Sequence, residues 1–318
     1  MMIKNSKFIK NKIFLAGHNG MVGSAILRLL KNKGYEEIIV RSKSELDLTD
    51  YKALEFFFKE AQPEVVILAA AKVGGIKYNI NFPGEMLYDN LVMQNNVIEL
   101  SRRYNVKKFV FLGSSCIYPK NCEQPMKEEY LLTGKFEPTN EGYAIAKVAG
   151  LKLIEYYHKQ YGFPGISLMP CNIYGTNDSF NIEKSHVLSA TVKKVIDAID
   201  EGKNEIVMWG NGEARREFMH VDDLAFAVEF LMNNYDEENF LNVGTGTDVS
   251  IKELAIMTSK IAGFDGNIKW DISKPNGMLK KCMDVSKIKS LGFNPILSLE
   301  EGIKKTISEY KSLKEENK

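Results

Sequence analysis

Residues 13–23 read I-F-L-A-G-H-N-G-M-V-G, and this stretch decides the fold. Ile13–Ala16 is a short apolar run that reads as a buried strand, and Gly17, Gly20 and Gly23 follow at once. The next segment, Ser24–Lys33, puts Ile26, Leu27, Leu29 and Leu30 on the apolar side of a helix. Glycines at a strand-to-helix turn let backbone N–H groups approach a pyrophosphate at the helix N-terminus. Gly17, Gly20, Met21, Val22 and Gly23 are therefore candidate cofactor contacts. The spacing is G-x-x-G-x-x-G rather than the commoner G-x-G-x-x-G, and it also serves a tight turn that holds no ligand.

Outward from this turn the pattern repeats. Ile38–Val40 reads as a second strand ending at Arg41, about where a side chain meets the adenosine ribose. An arginine there pairs with a 2′-phosphate, whereas an acidic residue prefers the free hydroxyl, so NADPH is expected over NADH, with Lys43 at hand. Asp47 and Leu48 then border the adenine. Val65–Ala70 is a third strand running into A-A-A-K-V-G-G, where small residues such as Ala70 admit a flat cofactor or act as packing spacers.

Met86–Arg103 reads as a long helix, Phe109–Leu112 as a strand ending in G-S-S-C, Gly142–Tyr161 as a second long helix and Ile166–Met169 as a strand. This alternation predicts an α/β fold, a doubly wound parallel (Rossmann) sheet with right-handed crossovers. Residues 1–170 are expected to form the dinucleotide-binding domain, with later segments returning to it. Residues 171–318 are expected to form mainly a smaller C-terminal substrate lobe. That lobe would hold a helix over 185–201, strands at Glu205–Trp209, Leu241–Val243 and Ile268–Trp270, and helices at Lys252–Ala262 and Leu299–Ser312.

Composition narrows the partners. The 318 residues are 44% hydrophobic and 26% charged with net charge +1, which offers no general attraction to nucleic acid or membrane. No apolar run approaches the ~20 residues of a membrane span. Cys116, Cys122, Cys171 and Cys282 lack paired metal-ligand spacing, so no metal is expected. The polar, Lys-rich start before Ile13 lacks a signal-peptide core, and a cytoplasmic protein with reduced thiols is expected.

The chemistry centres on residues 138–150, P-T-N-E-G-Y-A-I-A-K-V-A-G. Tyr143 and Lys147 lie four apart, on one face of a helix. A free phenol has a pKa of about 10, and lowering it by roughly 2–3 units takes about 3–4 kcal/mol. An ammonium about 4 Å away supplies that much at a surface-like dielectric. A hydroxyl to bind a substrate carbonyl is available from Ser114 or Ser115. A bare Y-x-x-x-K also describes an exposed pair; its place after a glycine turn and a Ser-Ser strand end is what singles it out.

Glycine turn, Ser-Ser and Tyr-x-x-x-Lys stand in the order seen in extended short-chain dehydrogenases/reductases. G-H-N-G-M-V-G-S, A-A-A-K-V-G-G-I, G-S-S-C-I-Y-P-K, E-P-T-N-E-G-Y-A-I-A-K, K-S-H-V and R-E-F-M-H-V-D-D carry the likeness across essentially the whole chain. It resembles the GDP-L-fucose synthase family of NADPH-dependent GDP-4-keto-6-deoxymannose 3,5-epimerase/4-reductases. The resemblance implies Ser114, Tyr143 and Lys147 as the reductase residues, with Lys147 also on the nicotinamide ribose. It implies Cys116 and His186 as the acid and base of epimerisation. Lys194, Trp209, Arg216 and Asn276 become contacts to the GDP-sugar, and the two long helices a homodimer interface. Asn19, Gly142, Cys171, Ser189 and Asn276 depart from the family pattern, around sugar and nucleotide rather than the proton relay. A reductase without epimerisation, acting on another GDP-4-keto sugar such as a heptose, fits the same motifs.

Overall fold

The computed structural model describes residues 6–181, 185–274 and 278–316. Its first elements are β1 (Lys12–Ala16), α1 (Met21–Asn32), β2 (Glu37–Ile39), α2 (Tyr51–Ala61), β3 (Val65–Leu68), α3 (Ile76–Asn81) and α4 (Pro83–Arg103). β4 (Lys108–Leu112), α5 (Glu141–Tyr161), β5 (Gly165–Pro170), β6 (Asn172–Tyr174), α6 (Val187–Asp200), β7 (Glu205–Trp209) and β8 (Arg215–His220) follow. The last are α7 (Val221–Asn234), β9 (Leu241–Val243), β10 (Asp248–Ser250), α8 (Ile251–Ala262), β11 (Asn267–Asp271), β12 (Lys280–Lys281), α9 (Ser286–Ser290) and α10 (Leu299–Glu316).

Six parallel strands form the main sheet in the order β2-β1-β3-β4-β5-β9. The predicted doubly wound sheet is therefore present. Its central strands are buried from end to end because helices cover both faces, which is why they read as unbroken apolar runs. The chain leaves β1 for β2 on one side and returns to β3 on the other. That reversal opens a crevice beyond the carboxyl ends of β1 and β3, the place where open α/β sheets bind ligands.

The second half contributes β9 to the main sheet and builds a smaller sheet, β10-β8-β12, with β6 also paired to β8. β11 pairs with β7. A second apolar cluster, including Leu188, Val192, Phe218, Leu254 and Ile303, packs α6, α8 and α10 together. One anchor sets the geometry of this half. The buried Glu217 carboxylate on β8 accepts the Gly246 N–H at 2.7 Å and the Met283 N–H at 2.8 Å. Met126 and residues 282–284 exchange two further backbone bonds. Residues 280–284 are thus clamped between β8 and the loop after β4.

Element boundaries differ from the sequence reading where local chemistry overrides periodicity. α1 starts at Met21, three residues early, because Gly20 caps it and Gly23 is already inside its first turn. α4 starts at Pro83, a residue suited to the first helical position, and the short α3 precedes it. β8 and α7 were not legible. R-R-E-F-M-H opens with three charged residues, and Glu217 hides a buried position behind an acidic side chain.

Candidate active site

At the switch point Gly17 has φ +91°, and a Cβ there would lie 2.5 Å from the Ala70 nitrogen. A Cβ on Gly23 would lie 2.1 Å from the Gly17 carbonyl oxygen. Only glycines let α1 begin this close to the turn and to the end of β3. Gly20 caps α1 without a side-chain bond, so the first-turn N–H groups, those of Met21 and Val22 among them, are left to a ligand. This cradle suits the pyrophosphate of a dinucleotide.

Arg41 is exposed; its guanidinium donates to the Val40 carbonyl at 2.8 Å and lies 5.8 Å over the Phe57 ring. Among the described residues no carboxylate pairs with it, which leaves its charge for a phosphate. Lys43 instead reaches Asp47 at 4.0 Å. The Asp47 carboxylate accepts the Thr49 N–H and O–H, which hold its pKa below the usual range. Leu48 is fixed through its carbonyl, which accepts from Asn96 at 3.0 Å. Sequence reasoning missed Asn177, whose amide donates to the Asn19 carbonyl at 3.0 Å and whose N–H donates to Glu309. It straps the second half of the chain to the glycine turn.

The end of β4 meets the start of α5. Ser114 caps a short 3-10 turn, accepting the Cys116 N–H at 3.3 Å, and its hydroxyl also reaches the Cys116 thiol. The Tyr143 hydroxyl has no hydrogen-bond partner among the described residues. Lys147, 3% exposed, donates to the Leu112 carbonyl at 2.8 Å and stands 5.7 Å from the Tyr143 ring centre and 4.7 Å from that of Phe111.

This arrangement corrects the expected electrostatics. Burial, with a smaller push from the nearby Cys116, holds the Tyr143 phenol well above its ordinary pKa. Burial also lowers Lys147 to about 8. The ammonium sits on a carbonyl rather than on the phenol oxygen, so desolvation outweighs attraction. A phenol so placed keeps its proton at neutral pH, which is the form that a general acid needs.

Cys116 is 8% exposed, and burial raises its thiol despite opposing pulls from Lys281, the Ser114 hydroxyl and Lys147. It faces a cavity of about 50 Å³ with Lys281, Asn140 and Met278 on its walls. His186 stands exposed at the N-cap of α6 without a side-chain capping bond. His158 and His220 serve structure, bonding the Phe163 carbonyl and capping α7.

Lys281 is the residue that the sequence reading missed; in the chain it is one lysine of a K-K pair. Register places it opposite Arg216 on the neighbouring strand. Burial lowers both cations, and repulsion from Arg216 further depresses Lys281. Among the described residues Arg216 bonds only carbonyls, those of Met278 at 2.6 Å and Arg215 at 2.8 Å. Two like charges directly across a ladder oppose each other, and a bound anion such as a diphosphate relieves that repulsion. Trp209 is 58% exposed with Lys194 and Lys274 each 5.9 Å from its ring centre. Lys194 also donates to the Val207 carbonyl at 2.7 Å. Asn276 lies outside the described residues. Two of the departures are accommodated locally: Ser189 bonds Asp178, and a Cβ at Gly142 would lie 2.8 Å from the Pro83 carbonyl. Among the described residues no His, Cys, Asp or Glu cluster is placed to hold a metal, and no helix is long and apolar enough to cross a membrane.

Residues 13–244 match the NAD dependent epimerase/dehydratase family. A putative GDP-L-fucose synthase 2 of Arabidopsis thaliana is 50% identical, covering 94% of this chain and 91% of the relative. GDP-L-fucose synthase of Escherichia coli (strain K12) is 44% identical, covering 93% and 95%. In structure, the GDP-mannoheptose C4 reductase MlghC from Campylobacter jejuni with NADP bound superposes with a TM-score of 0.88 at 38% identity, covering 95% and 99%.

Proposed function

The chain belongs to the NAD dependent epimerase/dehydratase family, and we propose that it is an NADPH-dependent C4 reductase of a GDP-4-keto sugar. It is of the GDP-L-fucose synthase kind, with 3,5-epimerisation in the same cleft. The observation that carries this reading is the convergence of Ser114, Tyr143 and Lys147 at the end of β4, with Cys116 against them. Bound NADPH supplies the hydride. Ser114 donates its O–H to the C4 oxygen, and Tyr143 passes that oxygen a proton as negative charge develops there. Lys147 holds the nicotinamide ribose, Arg41 the 2′-phosphate, and Arg216 the substrate diphosphate. Trp209 offers a flat surface to a ring, flanked by Lys194. Residues 1–170 carry the cofactor and 171–318 most of the sugar nucleotide.

Incubation of the purified protein with NADPH and GDP-4-keto-6-deoxymannose tests the reading. Loss of NADPH absorbance is expected; none counts against the fucose assignment. A second reading, reduction alone on a GDP-4-keto-heptose, is favoured by the likeness to the Campylobacter jejuni heptose reductase. Deuterium from solvent separates the two, since epimerisation labels C3 and C5. Cys116→Ser is expected to slow that labelling by ~10²-fold, within the range for losing an acid–base group. It should slow labelling more than it slows reduction of an already epimerised ketone. Equal losses would remove the separate role of Cys116, and a matching pattern is expected for His186→Asn.

The chain acts in the cytoplasm and as a homodimer. α4 and α5 pack against each other and leave Tyr88, Ile145 and Tyr156 exposed, an apolar surface for a second copy. A monomeric mass by sedimentation at micromolar concentration would remove the dimer.

A further inference from the structure

Asn140 occupies the N-cap of α5, where asparagine ordinarily satisfies a first-turn N–H, yet its side chain makes no capping bond. Its Oδ1 is shielded from solvent and has no hydrogen-bond partner among the described residues. A buried acceptor left without a partner destabilises the site that holds it. The residue lines the cavity of about 50 Å³ beside Cys116, and Lys281 lines it too. Among the described residues the Lys281 ammonium has no hydrogen-bond acceptor. One wall therefore offers an unused acceptor and another an unused donor.

A single hydroxyl group answers both, because it donates one hydrogen bond and accepts others. The remaining walls are the apolar Pro119, Met126 and Met278, which suit a carbon, together with Ser115, Tyr118 and Glu137, the last paired with Lys120 at 3.1 Å. A bare hydroxyl needs only about the ~10–15 Å³ of one water-sized probe, so the space is large enough for a carbon that carries one. Ser114, which receives the C4 oxygen, accepts from the backbone N–H of Cys116, a residue of the cavity wall. The ring carbons flanking C4 bear a hydroxyl at C3 and an exocyclic carbon at C5, and the size favours the latter. We propose that the cavity between Cys116 and Asn140 receives the exocyclic carbon at C5 of the sugar and selects substrates in which that carbon bears a hydroxyl. The proposal rests on the reductase reading above and narrows its substrate class.

The test compares kcat/KM for GDP-4-keto-mannose, which keeps its 6-hydroxyl, with that for GDP-4-keto-6-deoxymannose. The wild-type protein is expected to favour the hydroxylated sugar by ~10-fold or more, because a methyl leaves Asn140 and Lys281 unpaired. Asn140→Leu is expected to bring the ratio near one, and Asn140→Ala to do so without adding bulk. Thermal melting and NADPH fluorescence titration establish that both variants fold. If both sugars turn over and the ratio is the same in wild type and variants, the subsite is overturned while the reductase reading stands. A wild-type preference for the deoxy sugar overturns it as well. Turnover of neither sugar, with NADPH still bound, overturns the reductase reading and the subsite together.

Discussion

Replacing Tyr143 with phenylalanine is expected to lower kcat by ~10²–10⁴-fold, the span associated with loss of a positioned general acid. The hydroxyl is held in its protonated form by burial and bonds nothing among the described residues, so its one task is to meet a ligand oxygen. Two further consequences separate this loss from a folding defect. NADPH affinity should be retained, because Lys147 is anchored on the Leu112 carbonyl rather than on the phenol. Stability should be unchanged or slightly higher, since the removed hydroxyl had no protein partner to lose. Single-turnover NADPH oxidation followed at 340 nm, as an order-of-magnitude probe of the chemical step, measures the first effect. A rate close to wild type would mean that the proton comes from elsewhere.

Lys147→Met is expected to stabilise the protein at neutral pH and to abolish most of its activity. The lysine is 3% exposed, and burial lowers its pKa from the ordinary value of 10.5 to about 8. The sign follows from proton counting. Between about pH 8 and 10.5 the unfolded chain holds a proton that the folded chain has released, so wild-type stability rises with pH across that window. Below pH 8 both states are charged and the folded state bears the whole penalty, on the order of 3 kcal/mol for this shift. Methionine removes the penalty while keeping the stem packed against Phe111, at the loss of the bond to Leu112. The variant should therefore melt higher at pH 7, and its advantage should shrink as pH approaches 10.5. Urea titrations of both proteins at pH 7 and pH 10 measure this, and a less stable variant at pH 7 would falsify the account. In the same window, wild-type activity should decline above about pH 8 as the ammonium is lost.

Legibility followed the physics of each element. The strand-turn-helix of residues 13–23 was readable because buried parallel strands are apolar throughout and close backbone approach admits only glycine. Tyr143 and Lys147 were readable because helical spacing puts them on one face. β8 was not, since its buried Glu217 is satisfied by N–H groups from residues 246 and 283, which no local pattern reveals. Lys281 was missed for the same reason. Its place beside Cys116 comes from the clamp between β8 and the loop containing Met126.

By itself the order of residues determined the parallel sheet and the glycine cradle, because periodicity and glycine geometry act over a few neighbours. Only the folded chain decided the sign of the electrostatics. Sequence spacing predicted a phenol acidified by a lysine, whereas burial raises the phenol, lowers the lysine and leaves the two apart. Desolvation depends on everything that packs around a group, and that is set by segments distant in the chain.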